Sequence, residues 1–353
     1  MTDLTTPRHL RLLRQPLRRR LAAIILVAAL PGCGGDRVEV APPPAPAPDL
    51  PPAAEPAQSP VPSEAPAGEV LDLETGGGPE GMVADPVTGL VVIALRQPNR
   101  LVLVDGRAGE VLRTVPVPGA ARHLQLAAPG GPVLVPGEDS DVLAEVTLPD
   151  GNVTAETTVG RQPHDAAAVD GRTFVADEIG GTTSVIEDGA VVRAFPEPVQ
   201  PGGVVVTGGR VGVVDVRGNT LSVYDTAGTR TFASVEAGAG PTHAVADDRG
   251  GVVVADTRGN ALLVFRLDPP ELVEQVALPG TPYGLAVDPG RDMLWVTLTA
   301  ANRLVGFRFT DGPLEQVTSL PTVRQPNTVA VDPLTGRVFV ASATDGTLQI
   351  LAP

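Results

Sequence analysis

The sequence predicts an all-β fold, a seven-bladed β-propeller whose last blade is closed by an N-terminal strand. Three observations carry this reading. A Gly/Pro-headed unit recurs from Gly68 onward, with heads at Pro79, Ala121, Pro163, Pro201, Pro241, Pro282 and Pro326. Neighbouring heads lie 38 to 44 residues apart, the length of one four-stranded blade. The composition holds 40 Gly and 38 Pro with only 3% aromatic residues. That balance suits many short strands and tight turns packed through aliphatic side chains.

The stretch Gly280–Phe309, GTPYGLAVDPGRDMLWVTLTAANRLVGFRF, displays the unit most clearly. Each unit opens with a first strand of small residues: Met82–Asp85, Ala166–Val169, Ala244–Asp247, Leu285–Asp288 and Val329–Asp332. Strands crowding a central axis need small side chains. A turn of the DPVTG or DPLTG type follows at Asp85–Gly89 and Asp332–Gly336, where Pro presets φ and Gly takes the position with φ > 0. Second strands are apolar, as in Leu90–Ala94, Val252–Ala255 and Val338–Ala341. Asn99, Asn219, Asn260 and Asn302 mark the next turn, third strands such as Leu262–Phe265 follow, and fourth strands such as Glu110–Val115 and Val273–Leu278 are weaker and amphipathic.

The last repeat stops after its third strand, Thr347–Leu351. Glu69–Leu73 can supply the missing fourth, which satisfies two open sheet edges at once. The second repeat, Gly119–Val159, lacks the head Pro and the usual turn, so blade two is expected to be irregular.

Residues 1–32 read as a leader. Six Arg precede Leu21–Leu30, LAAIILVAAL, an apolar run of signal-peptide length and too short to span a bilayer. Leu30-Pro31-Gly32-Cys33 resembles the bacterial lipobox, with Pro31 departing from the usual small residue. The resemblance implies lipidation at Cys33 and a lipid anchor on the extracytoplasmic side of a bacterial cell membrane. Cys33 is the only Cys in the chain, so no intrachain disulfide can form. Residues 33–67 are Pro/Ala-rich and are expected to be a disordered, extended stalk. The propeller then occupies 68–353. With a formal charge of −15 and a net +5 in the first 32 residues, the body is strongly acidic. That excludes nucleic acid as a natural partner.

Gly238–Phe265 (GAGPTHAVADDRGGVVVADTRGNALLVF) and Gly280–Phe309 resemble repeats of the YVTN-type (YncE-like) and NHL-type β-propellers. The resemblance covers Gly68–Pro353 and speaks for architecture. It leaves function open, because those families include surface proteins, interaction scaffolds, lyases and lactonases.

Alternating strand directions sort the turns by face. The heads share one face with the turns joining second to third strands, and the DPVTG-type turns lie on the other. Every His beyond the leader falls at a head: His123, His164 and His243. Glu80, Arg122, Asp165, Tyr283 and Asn327 hold equivalent places. Together these eight are the candidate ligand-binding residues of a polar channel mouth. Asp177, Asp215 and Asp256 end second strands and reach the same face, as extra carboxylates or as caps on backbone N–H groups.

The resemblance to NHL-type lyases implies a divalent metal held by His164, with His123 and His243 as further ligands. Their phase differs by one residue, which turns a side chain to the other side of a strand, so all three are not expected to converge. Packing between blades and contact with a non-metal ligand are the alternatives. No cofactor other than this metal ion is indicated. No Walker loop, G-x-S-x-G, paired CxxC or H-E-x-x-H occurs.

The expected function is a lipid-anchored, monomeric module binding an envelope protein or a small molecule. The alternative is a metal-dependent lyase or lactone hydrolase working at the channel mouth. The linker is expected to join the propeller at the face opposite the heads, which would point the heads away from the membrane.

Overall fold

The computed structural model describes residues 50–74, 78–196, 199–247 and 249–352. The leader, Cys33 and the first part of the linker lie outside them. Among the described residues are seven four-stranded antiparallel sheets, each a blade of a propeller. Six are built from consecutive strands. The seventh takes Pro326–Val331, Val338–Ser342 and Thr347–Leu351 from the C-terminal end and Glu69–Asp72 from the N-terminal side. Glu69 pairs with Ile350 and Asp72 with Thr347, which closes the ring as the repeats predict.

The core is divided between the blades. Each of seven apolar clusters joins two neighbours: Phe174 and Tyr224 meet between blades three and four, Trp295 and Val338 between six and seven. A blade is therefore covered on both faces. That explains why second strands such as Gly251–Asp256 are buried throughout and read as unbroken apolar runs rather than alternating ones. Fourth strands form the rim, and Glu110–Pro116 is exposed along most of its length. The DPVTG and DPLTG turns form as expected, with Gly89 at φ 72° and Gly336 at φ 74°. Asp85 accepts hydrogen bonds from the Thr88 backbone N–H and hydroxyl.

The heads carry a feature the repeats do not display. In five blades the first strand starts at the head Pro itself, as in Pro163–Val169 and Pro282–Asp288, and in blade one it starts one residue earlier, at Gly78. One extra residue follows that Pro in six blades, where the register slips, for example between Pro163 and Asp165 and between Pro241 and Ala244. This is a β-bulge, which re-aims the side chains around it. Blade two lacks the Pro, and its first strand shrinks to Gln125–Leu126.

The linker meets Glu69 at the strand end remote from the heads, as expected, since Glu69 pairs with Ile350 and Asp72 with Thr347, yet it does not approach along that face. From Leu50 to Pro60 it has no strand or helix, but it lies across the head face. Leu50 O accepts from Arg217 in blade four, and Pro60 O accepts from Asn302 in blade six. Composition predicts an extended chain but says nothing of the side chains waiting on the heads.

Candidate functional site

First strands line a central channel of about 430 Å³. Its walls are small and apolar, with Ala167, Val205 and Ala244 among them, and its mouth is polar. Glu80, Arg122, His123, Asp165, His243, Tyr283 and Asn327 all line it. His164 does not. Its ring is buried behind the wall.

The three imidazoles pack in a chain through His123, but their nitrogens do not form one ligand set among the described residues, as strand phase leads one to expect. His123 lies 4.7 Å from His164 and 4.3 Å from His243, centroid to centroid. The His123 and His243 rings are stacked at 19°, and Tyr283 meets His243 edge-on at 4.3 Å. His164 and His243 both sit within head bulges, so simple alternation does not govern their direction. The buried atoms His123 Nε2 and His243 Nδ1 have no hydrogen-bond partner among the described residues.

Behind this stack is an ionic wall that joins blades one to four. His164 Nδ1 is 3.0 Å from Glu178 Oε2 and 3.3 Å from Glu138 Oε1. Glu138 also faces Arg96 at 2.8 Å and Arg122 at 3.1 Å, while Gln200 donates to Glu178 Oε1 at 2.8 Å. Burial alone would push His164 towards neutrality, but the two carboxylates outweigh it and raise its pKa to about 9. Burial likewise opposes the charge on Glu178, yet His164 and Gln200 bring its pKa down to about 2. Glu138 is lowered too, since His164, Arg122 and Arg96 overcome its burial. The wall is thus an imidazolium and two guanidinium groups around two carboxylates.

His243 behaves oppositely. Burial, then the charges of His123 and His164, lower its pKa well below the ordinary value, so it is neutral. Burial raises the carboxyl of Glu80 and the phenol of Tyr283. Asp165 staples the wall: it accepts from Gln125 Nε2 at 3.0 Å and from the Val204 N–H at 2.8 Å.

The Asp column caps backbone. Asp215 accepts from the N–H groups of Arg217 and Gly218 and also from Gln200. Asp256 accepts from Gly259 and Gly240, whereas Asp177 takes the hydroxyls of Thr182 and Ser184.

Sequence reasoning missed Glu138, Glu178 and Arg96. Glu138 and Glu178 directly follow second strands that end at Gly137 and Asp177, and Arg96 ends its own. The signal was there one residue beyond the Asp column, since Leu95 and Asp177 each pair with a head Pro and Arg96 and Glu178 follow them. Glu138, His164 and Glu178 offer ligand atoms within 4.8 Å of one another, a cluster close enough to hold a metal. The trio of His164, His123 and His243 is instead partly a stack, with His164 turned toward the glutamates.

The ring of seven blades around a polar-mouthed channel defines a β-propeller protein. No protein-family model and no curated protein matches the sequence. Solved structures match in fold. The virginiamycin B lyase of Staphylococcus aureus superimposes with a TM-score of 0.68 at 15% identity, over 81% of this chain and 98% of that one. A streptogramin B lyase gives 0.69 at 14%, covering 82% and 100%. Kuenenia stuttgartiensis hydrazine synthase gives 0.67 at 16%, covering 78% and 96%. At such identities the likeness speaks for the fold.

Proposed function

We propose that this protein is an exported, lipid-anchored propeller of the YncE-like kind that binds a small ligand or an envelope protein at the head-face channel mouth. One observation carries the reading. Two buried imidazole nitrogens, on residues that line the channel, are left without partners. Leaving a buried polar atom unpaired costs on the order of 1–3 kcal/mol, a cost that a ligand's hydrogen-bonding groups would remove. The surrounding small apolar walls and few convergent polar groups are those of a binding pocket.

Ligand-observed NMR with a fragment library tests the site, using the chain and a His123→Ala/His243→Ala variant of equal thermal stability. Fragments that broaden only with the unaltered chain are expected. Identical fragment profiles would refute the site. For the anchor, Cys33→Ala is expected to shift the protein from the membrane to the soluble fraction, and unchanged membrane retention would count against lipidation.

A second reading is a metal-dependent lyase or lactone hydrolase, favoured by the Glu138–His164–Glu178 cluster and by the lyases among similar structures. A bound ion would draw on the two glutamates and a neutral imidazole and would supply a Lewis acid, though none of the three residues lines the channel. Neutralising His164 at pH 7 against a pKa of about 9 costs about 3 kcal/mol, and the guanidinium of Arg122 adds repulsion. The binding reading therefore ranks first. Stoichiometric metal in the protein after incubation with Mg²⁺, Mn²⁺ or Zn²⁺ would reverse that order.

A further inference from the structure

The linker segment Leu50–Pro60 (LPPAAEPAQSP) is gripped through its backbone. The Gln325 side-chain amide donates to Ala57 O at 2.8 Å and accepts from Ser59 N–H at 2.9 Å. One amide thus reads two alternate residues of an extended chain, as a neighbouring strand would. Thr299 Oγ1 accepts from Ala57 N–H at 3.0 Å. Four further side chains donate to linker carbonyls: Arg217 to Leu50, Arg258 to Pro52, Arg324 to Ser59 and Asn302 to Pro60. Gln325 is itself fixed, because its N–H donates to Asn302 Oδ1 and its Nε2 to Asn327 Oδ1.

The pattern selects a chain type. The site offers donors to carbonyls at Leu50, Pro52, Ala57, Ser59 and Pro60, but asks for N–H groups only at Ala57 and Ser59. Prolines stand at 51, 52, 56 and 60, where no donor is required. Proline lacks an N–H and holds the chain extended beforehand, so such a peptide loses no hydrogen bond and little entropy on docking. A donor-rich peptide would leave N–H groups unanswered.

We propose that the head face of blades four to seven is a receptor site for extended, proline-rich peptide. The chain's own linker occupies it in cis, and the same peptide on another molecule takes it when the linker is absent. Tethering gives the linker a millimolar effective concentration, so an outside peptide must find the site vacated.

The test uses the full chain with residues 50–60 replaced by a Gly-Ser run of equal length, titrated with a synthetic peptide of residues 50–62. Saturable binding is expected, at least tenfold tighter than to the unaltered chain. Adding Gln325→Ala to the Gly-Ser chain should weaken it at least tenfold. N-methylation of the peptide at the positions of Ala57 and Ser59 should weaken it comparably. A folded Gly-Ser chain that takes up no peptide overturns the proposal, as does binding indifferent to Gln325→Ala. Should the Gly-Ser chain not fold, hydrogen exchange on the unaltered chain decides. The amides of Ala57 and Ser59 are expected to exchange at least a hundredfold slower than an unstructured peptide, and slow exchange should disappear in Gln325→Ala. Exchange at the unstructured rate overturns the proposal.

Discussion

Two stretches of one rim use the same scaffold in opposite ways. At blades one to four the head face is ionic: Arg96, Arg122, Glu138, His164 and Glu178 form a buried network with every charge opposed. At blades six and seven the equivalent places hold the neutral Thr299 and Asn327: Thr299, with Asn302 and Gln325 beside it, meets linker backbone, and Asn327 accepts from the Gln325 amide. Repeated units put any residue at a head or second-strand end onto the same face. Chemistry is then chosen locally, one blade at a time. The ionic side meets charge, whereas the neutral side meets mainly linker backbone, with the buried Ser59 hydroxyl donating to Thr299 O as a side-chain contact.

The contrast predicts unequal sensitivity to substitution. His164→Leu removes the cation between two buried carboxylates and is expected to destabilise the fold by about 3–5 kcal/mol, read as a lower denaturation midpoint in urea. A loss below about 1 kcal/mol would mean that Arg96 and Arg122 suffice for both glutamates. Gln325→Ala removes two neutral hydrogen bonds to the linker and is expected to cost about 1–2 kcal/mol. Glu55, whose side chain is 67% exposed and 3.8 Å from Arg122, sits at the bottom of the scale. Glu55→Ala should change stability by less than about 1 kcal/mol, and a larger loss would make the linker's hold electrostatic.

Most of the fold was legible in the sequence because the repeats carry it. Head prolines, small first strands and apolar second strands each have one mechanical reason, repeated from blade to blade. Closure by Glu69–Asp72 followed from a strand missing at one end and spare at the other. The site was legible only in part. Head columns gave seven channel-lining residues, but a bulge leaves no mark in the residue pattern, so the packing of His123 against His164 and His243 was hidden. Glu138 and Glu178 looked like ordinary turn residues, since their partners come from other heads. The linker's composition announced an extended chain. Its resting place depended on Arg217, Thr299 and Gln325, each more than 150 residues away along the sequence, as in the separation of 167 between Leu50 and Arg217.

The charge state of His164 tests the central claim, that an imidazolium clasped by two glutamates underlies the mouth. Its folded pKa of about 9 lies above the ordinary 6.5, so its contribution to stability is complete below about 6.5 and lost as pH rises through about 9. Glu178, lowered from 4.5 to about 2, contributes above about 4.5 and loses that contribution as pH falls through about 2. The wall is therefore strongest between those limits, at about pH 4.5 to 6.5. Imidazole ¹⁵N NMR across pH 5 to 10, with His164→Gln to assign the signal, reads the state directly. The account predicts a His164 ring still protonated at pH 7.5 and titrating near 9. A ring already neutral at pH 7 would contradict it.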